Sequence, residues 1–267
     1  MKKGERLLLI FALIGLILCL TGCGKTEGIN SIISFFQGVS QSFYNNIILE
    51  DRYLLILDGL KTTVIISILS LVFGTLLGAL LCYMSICHNK VLNSIAKVYI
   101  MILQGTPVLV LLMIIFYVIF ASVNINAIFI SMIAFGLNFA ASASEIFSNG
   151  IKSVDKGQTE AGIAMGFTKT QTFVHIILPQ AIRRIMPIYQ GEFINMVKET
   201  SVVGYIAVQD LTKASDIIRS RTFDAFFPLI IAAAIYFVIT WLLILVLSYV
   251  ERRINPKATK RQVRKAA

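Results

Sequence analysis

The stretch between Gly157 and Pro179 reads GQTEAGIAMGF, then TKTQTFVHIILP. It is polar and able to form helices, yet it lies between long apolar segments of the chain. Small side chains in its first part let a helix approach a partner closely, and Gly166 can take the positive φ that ends a helix. Pro179 would end a second short helix. The pattern therefore predicts a docking helix over Thr159–Phe167, on a loop between membrane spans.

Composition identifies the solvent around the rest of the chain. Hydrophobic residues make up 57% and charged residues 14% of the sequence, and the mean hydropathy is +0.82, values that indicate a polytopic membrane protein. The net charge is +10, and the basic residues lie at the ends of apolar runs and in the C-terminal tail. This placement favours a role in membrane topology over nucleic-acid binding. The four cysteines indicate no disulfide framework: Cys19, Cys23, Cys82 and Cys87.

Apolar runs of the length that a bilayer requires predict an all-α membrane protein with five spans. The predicted spans are residues 60–86, 97–121, 126–148, 185–208 and 226–250. Loops rich in lysine and arginine fall on one side, which the positive-inside rule places in the cytoplasm. We therefore expect the N-terminus outside and the C-terminus inside, with a transmembrane core over 58–253 and a basic cytoplasmic tail over 254–267.

The first 23 residues have the pattern of an export signal. A basic start is followed by the apolar run Leu7–Leu18, and Leu20-Thr21-Gly22-Cys23 resembles a bacterial lipoprotein cleavage box, in which Cys23 would carry the lipid. Residues 24–57 would then form an extracytoplasmic segment. The alternative is that residues 1–23 stay in the membrane as a sixth helix.

The loop resembles the cytoplasmic coupling loop of ABC importer permeases. That pattern is Glu-Ala-Ala, a glycine a few residues on and a later Ile-Leu-Pro, and the matching residues here are Glu160, Ala161, Gly166, Ile177, Leu178 and Pro179, with Gly162 in place of the second alanine. Further blocks resemble the polar amino acid branch of this family over residues 57–253: DGLKTT at 58–63, QGTP at 104–107, SEIF at 144–147, KGQTEA at 156–161 and KETS at 198–201. Two positions depart from it, since arginine is common where this chain has Gln104 and Ser148.

The resemblance implies a set of partners. An ATP-binding subunit would dock on Gly157, Glu160, Ala161, Gly162 and Gly166, an extracytoplasmic solute-binding protein would deliver the amino acid, and a second permease would complete a homodimer or heterodimer. ATP would be bound by the partner ATPase, and this chain would carry no cofactor. The resemblance also places the protein in the bacterial cytoplasmic membrane.

Ionisable residues in the fourth predicted span indicate where a substrate could bind. Charges at bilayer depth are costly, so they usually face a cavity or a partner. Glu192 and Glu199 are seven residues apart, which returns to nearly the same helical face, with Asn195 between them. Two like charges there would suit a cationic amino acid. The alternative is that Lys198 or a neighbouring helix neutralises both in a structural pair.

Glycine and proline interrupt the second predicted span. Pro107 cannot donate a backbone hydrogen bond, and the hydroxyl of Thr106 can partly satisfy the freed carbonyl. Gly105, Thr106 and Pro107 therefore predict a kink, which could be a gate or a static bend. Glu145, at the cytoplasmic end of the third span, is expected to anchor packing or a loop.

Other classes of function remain as alternatives. An integral-membrane enzyme would need a titratable or metal-binding cluster, and neither His88 nor His175 forms one with acidic residues or cysteines in sequence. We therefore expect no catalytic residues and no metal site. A lipid-anchored accessory or sensor protein is supported only by Cys23, and a permease for neutral polar amino acids such as glutamine is also compatible with the motifs.

Overall fold

The computed structural model describes residues 37–38 and 40–254, and every regular element in that part of the chain is helical. The chain divides after Tyr53 into two units. The described part of the first contains a π turn at Tyr44–Ile48 and a 3₁₀ turn at Leu49–Asp51. The helices are α1 Tyr53–Ile86, α2 Lys90–Gly105, α3 Val108–Ile114, α4 Ala127–Lys152, α5 Lys156–Ala164, α6 Lys169–Thr172, α7 Leu178–Glu199, α8 Leu211–Thr222 and α9 Phe226–Ile254.

Three helices in the described part of the chain are long and apolar enough to cross a membrane. They are α1, α4 and α9, and the bent pair formed by α2 and the stretch Val108–Ile119 makes a fourth if it counts as one span. The predicted third and fifth spans agree with α4 and α9. The first was placed too late, because α1 begins at Tyr53 rather than near residue 60.

The second predicted span is not one continuous helix. α2 ends at Gly105, the next helical stretch starts at Val108, and the two are bent by 107° at the break. Thr106 is extended, with φ −110° and ψ 126°, because a residue before proline is pushed out of the helical region. Its hydroxyl donates to the carbonyl of Ile102 at 2.8 Å. The predicted kink is thus a break between helices, and the prediction of one helix over 97–121 was wrong.

The fourth predicted span also differs. α7 starts at Leu178, seven residues before the predicted 185, and it ends at Glu199, where a 3₁₀ turn over Thr200–Ile206 takes over. Pro187 consequently lies in the helix interior. α7 is not among the helices apolar enough to mark a span by composition, since it carries arginine, lysine and glutamate side chains.

The core lies between α4, α7 and the helices around them. Phe135 and Phe139 of α4 are buried with Phe193 and Met196 of α7 in one apolar cluster. Tyr189 of α7 stands edge-on to Phe139, with ring centroids 5.6 Å apart, and stacks on Phe147. Burial of these aromatic rings fixes α7 against α4, which positions the polar residues of α7 described below.

A buried polar node holds α8 against two other helices. Asp210, fully buried, caps α8 by accepting from the backbone N–H of Thr212 at 3.1 Å and of Lys213 at 2.8 Å. Tyr236 of α9 donates its hydroxyl hydrogen to Asp210 at 3.2 Å. On the side of α1, a Cβ on Gly59 would come within 2.6 Å of the Asp210 carbonyl oxygen. Because α1 approaches the backbone of Asp210 this closely, residue 59 must be glycine.

Several predictions concern residues outside the described part of the chain. They are the export segment with Cys23, the alternative sixth helix, and the basic tail beyond residue 254. The predicted transmembrane core over 58–253 lies within the described part of the chain.

Candidate functional site

The predicted docking helix exists, but it begins earlier than expected. α5 spans Lys156–Ala164, and Asp155 caps it by accepting from the backbone N–H of Gly157 at 2.7 Å. A Cβ on Gly157 would meet that carboxylate oxygen at 2.9 Å. The prediction of a start at Thr159 was wrong because the cap lies four residues earlier. Glu160 consequently sits in the second turn and not at the helix start.

The end of α5 follows the expected chemistry. Gly166 has φ +87°, Gly166 N–H donates to the carbonyl of Ile163 at 2.9 Å, and Phe167 N–H donates to that of Gly162 at 3.1 Å. These two bonds form the Schellman motif, in which the left-handed residue is usually glycine. The predicted positive φ of Gly166 is confirmed.

Gly162 differs from the other small residues of α5. It is buried, and a Cβ there would come within 2.6 Å of the methyl carbon of Thr172. It therefore packs α5 onto the next helical segment of the same chain and offers no surface to a partner. Among the exposed residues of this segment, we name Glu160, Ala161, Ile163, Met165 and Gly166 the docking surface.

The second part of the loop has its own start signal. Thr168 and Gln171 form a reciprocal capping box: Thr168 N–H donates to the Gln171 side-chain oxygen at 2.9 Å, and Gln171 N–H donates to the Thr168 hydroxyl at 3.3 Å. The Thr-x-x-Gln spacing is the sequence signal for it, and our sequence reasoning missed it.

Pro179 does not end this second helix, contrary to the prediction. The backbone passes from α6 through a π turn at Phe173–Ile177 directly into α7. Leu178 N–H donates to the carbonyl of Phe173, five residues earlier. Pro179 then falls in the first turn of α7, where a missing N–H costs little.

Side-chain contacts join the loop to the helices on both sides. Gln180 of α7 donates to the side-chain oxygen of Gln158 in α5 at 3.1 Å, and Arg184 donates to the carbonyl of Ser153. Beneath them, four buried residues form an apolar cluster: Val154, Ile177, Ala181 and Ile185. α5 and the first half of α7 thus form one packed body.

The far half of α7 carries the predicted substrate residues. Glu192 and Glu199 are half-buried, and Asn195 between them is exposed. Lys198 is also exposed, and in the described part of the chain no ion pair joins it to either glutamate, since the pairs found there are Arg52–Glu50, Lys213–Asp216 and Arg219–Asp216. Gly191 has no atom within 4 Å of a Cβ placed on it. We name Glu192, Asn195 and Glu199 the acidic face of α7.

Other candidate residues lie apart from this face. Gly105 has open space around a Cβ placed on it, so close packing does not require a glycine there. Gln104 donates to the Glu145 carboxylate at 2.9 Å. No group of three or more histidine, cysteine or acidic residues able to hold a metal ion is present within the described residues.

Comparison with known proteins gives the family of this chain. Residues 70–257 match the model of the family described as binding-protein-dependent transport system inner membrane component. The chain belongs to this family and is a multi-pass membrane component of a transport system.

Individual relatives cover most of the chain. The L-cystine transport system permease protein TcyB of Bacillus subtilis is 38% identical over 204 residues, which is 76% of this chain and 87% of that protein. The arginine transport system permease protein ArtQ of the same organism is 33% identical over 202 residues, 75% of this chain and 92% of that protein. A crystal structure described as an amino acid ABC transporter with histidines matches with a TM-score of 0.69 and 39% identity, over 74% of this chain and 94% of that one.

Proposed function

We propose that this chain is the permease subunit of an ATP-driven importer of polar amino acids, with a preference for cationic ones. The observation that carries the preference is the acidic face of α7: two half-buried carboxylates on one helical face, with no ion pair to Lys198 among the described residues. The relatives named for L-cystine and arginine transport, and the structure described as an amino acid ABC transporter with histidines, support an amino acid as cargo.

The partners follow from the docking surface and the acidic face. The docking surface on α5 would seat the ATP-binding subunit, because its small and apolar side chains leave room for a groove to close around the helix. A solute-binding protein would deliver the amino acid from the other side of the membrane. The acidic face of α7 would meet its symmetry equivalent, or that of a related permease, so that the pathway lies between two subunits.

The structure suggests how the two surfaces are coupled. α5 is joined to α7 by the Gln158–Gln180 hydrogen bond and by the apolar cluster around Ile177 and Ile185. A displacement of α5 by the ATPase would therefore move the start of α7, and the helix would carry that motion to Glu192 and Glu199. Rigid-body motion of this kind requires no unfolding of either helix.

The preference for cationic substrates rests on the two glutamates, neither of which forms an ion pair with Lys198 or another cation among the described residues. Half-buried carboxylates are solvated poorly, so a guanidinium or ammonium group that enters their neighbourhood lowers the electrostatic free energy. The competing proposal is a permease for neutral polar amino acids such as glutamine. The relative named for L-cystine favours it, because cystine is not a net cation at neutral pH.

The N-terminus and the orientation are part of the proposal. The chain would begin outside, at a lipidated Cys23, and end in the cytoplasm. Intact mass spectrometry of membrane-extracted protein tests this: retention of residues 1–22 without added lipid mass would support a sixth helix instead.

Reconstitution tests the function directly. The permease is purified with its ATPase, placed in proteoliposomes with the solute-binding protein, and supplied with arginine, lysine, histidine, glutamine and cystine in turn. We expect ATP-dependent uptake that is fastest for one of the cationic amino acids. Faster uptake of glutamine would favour a permease for neutral polar amino acids. Absence of any ATP-dependent amino acid uptake would contradict the proposed function.

A further inference from the structure

A polar cavity of about 150 Å³ lies between the end of α1, α2 and the last turns of α4. Its polar lining includes Lys97, Ser144, Glu145, Ser148, Asn149 and Lys152. None of these residues belongs to the docking surface or to the acidic face of α7. The cavity is smaller than a pocket for a drug-sized molecule and suits a small polar one.

One side chain in this lining is left without a partner. Ser144 is fully buried, and its hydroxyl makes no hydrogen bond to any part of the protein that the structure describes. A buried hydroxyl without a partner costs free energy, so a native structure usually supplies one. A polar atom of a molecule in the cavity would supply it.

The charges around the cavity are of both signs and are not paired with each other. Lys97, Lys152 and Glu145 all line it, yet within the described residues none of them forms an ion pair. The hydrogen bond that the described residues give to Glu145 comes from the neutral amide of Gln104, at 2.9 Å. An inorganic anion would be attracted by the lysines and repelled by Glu145. A simple cation would be repelled by the lysines and attracted by Glu145. A molecule with separate positive and negative groups matches both.

The size of residue 148 keeps the cavity open. Ser148 is buried, with 6% of its surface exposed, so a long side chain at this position would enter the cavity. This is one of the two positions at which arginine is common in the family that the chain resembles. A guanidinium at 148 would also bring positive charge into a cavity that already holds two lysines and one glutamate.

We propose that this cavity binds the head group of an α-amino acid, with its carboxylate at Lys97 and Lys152 and its ammonium at Glu145. Ser144 donates to the carboxylate or accepts from the ammonium. The inference rests on the proposed function, because it makes the transported class of molecule the ligand. On the proposed orientation the site faces the cytoplasm, so it senses imported amino acid and slows further import when filled.

The test measures binding to the full permease and ATPase complex in nanodiscs of neutral lipid. The probes are L-glutamine and two analogues, glutaric acid monoamide, which lacks the ammonium, and 4-aminobutanamide, which lacks the carboxylate. We expect L-glutamine to bind at least tenfold more tightly than either. Equal binding of the monoamide would overturn the proposal in favour of an anion site, such as one for a lipid phosphate.

Variants locate the site. Ser148→Arg should weaken L-glutamine binding at least tenfold, whereas Ser94→Arg, the same change at an exposed position of α2, should leave it unchanged. Lys152→Gln provides a second variant should Ser148→Arg fold poorly, and it should also weaken binding. Unchanged binding in Lys152→Gln and in any folded Ser148→Arg protein would overturn the proposal.

Transport separates this inference from the proposed function. Uptake is measured in the same proteoliposomes with and without 10-fold excess L-glutamine inside. Uptake that internal glutamine slows in the Ser94→Arg control but not in Lys152→Gln supports the site. Normal uptake with equal slowing in both overturns the site alone, while absent uptake in every protein overturns the proposed function.

Discussion

The docking surface on α5 is exposed, the two carboxylates of the acidic face of α7 are half-buried, and the two regions are built in different ways. The α5 segment is completed by bonds between near neighbours: the Asp155 cap, the Gly166 turn and the Thr168–Gln171 box. Among the described residues, the acidic face has no such local partners, and its two carboxylates are not paired with Lys198. The α5 segment is thus completed by its own neighbours, whereas the acidic face leaves room for a partner of opposite charge, as the proposed function requires.

This difference predicts how the two regions respond to mutation. Changes in the α5 segment should alter its shape and so affect every substrate equally. Changes on the acidic face should leave the fold intact and alter the choice among substrates. The four predictions below test this contrast, from the largest expected effect to the smallest.

The largest effect is expected at Gly162. Gly162→Val places a β-branched side chain where a Cβ alone would lie 2.6 Å from the methyl carbon of Thr172, and overpacking of this kind costs about 1–3 kcal/mol. α5 must then move away from the following helical segment. We expect the permease to insert in the membrane but to retain little ATPase on co-purification, with uptake lost for arginine and glutamine alike.

A double mutant tests the stated cause. Thr172→Ala removes the two atoms closest to a Cβ at 162 and leaves Ile176 Cδ1 at 3.0 Å, so the combined variant should recover part of the ATPase binding that Gly162→Val loses. Thr172→Ala alone is the matched control. No recovery in the combined variant would mean that the loss has another origin.

A smaller effect is expected at Gly166. Its φ of +87° is unfavourable for residues with a Cβ by about 1–2 kcal/mol, and most so for a β-branched one. Gly166→Val should reduce co-purified ATPase, whereas Gly166→Asn, which tolerates the left-handed region better, should retain most of it. Since a Cβ at 166 has open space, conformation and not collision is the cause. Equal behaviour of the two variants would contradict this reason.

The same contrast explains how much of the molecule could be predicted from sequence. α4 and α9 are continuous apolar runs, so their bounds could be placed closely. The Gly166 turn depends on one residue and its neighbours, and it was also predicted. α7 was placed too late because its first turns carry arginines and a proline, which resemble a loop when read by hydropathy alone.

Features that depend on distant residues could not be read in this way. Gly162 was interpreted as a surface residue, because nothing in its own helix indicates that Thr172 lies against it. The helix α8 went unpredicted, since it is polar and its start depends on two other helices. Tyr236 of α9 donates to its cap Asp210, and Leu211 N–H donates to the hydroxyl of Thr63 of α1. The break at Thr106 was expected only as a kink, because proline predicts a disturbance but not an angle.

The third prediction concerns the acidic face. Glu192→Gln and Glu199→Gln keep the size and most hydrogen bonding of the side chain but remove its charge. Uptake of arginine should fall by about three- to tenfold relative to uptake of glutamine, which corresponds to about 0.7–1.4 kcal/mol. Proteoliposome uptake, normalised to folded protein, measures the ratio. Asn195→Asp adds a charge to the same face and should move the ratio in the opposite direction.

The outcome also distinguishes a structural pair from a substrate site. If Lys198 neutralised the glutamates after assembly, removing either carboxylate would leave a charge unmatched and lower the folded yield. In that case arginine and glutamine uptake per membrane would fall together. A change in the ratio at constant yield would retain the acidic face as the site of selection.

The smallest effect is expected at Asp210, which combines a local cap with distant partners. Burial raises the pKa of this carboxyl above its usual value of 3.8, although the N–H groups of Lys213 and Thr212 oppose the rise. A raised pKa means that the folded state prefers the protonated form. The resulting stability is fully present below the ordinary pKa and is lost as the pH rises through the raised one.

Asp210→Asn removes this titration while keeping one oxygen to cap α8. The apparent melting temperature of the wild-type complex in detergent should therefore fall between pH 4 and neutrality by more than that of the variant, by a few degrees. Asp210→Ala, which loses the cap as well, should be less stable than Asp210→Asn by about 1 kcal/mol at every pH. Parallel pH curves for the wild type and Asp210→Asn would show that the carboxyl does not titrate in this range. The node would then act through its hydrogen bonds alone, as the caps of the α5 segment do.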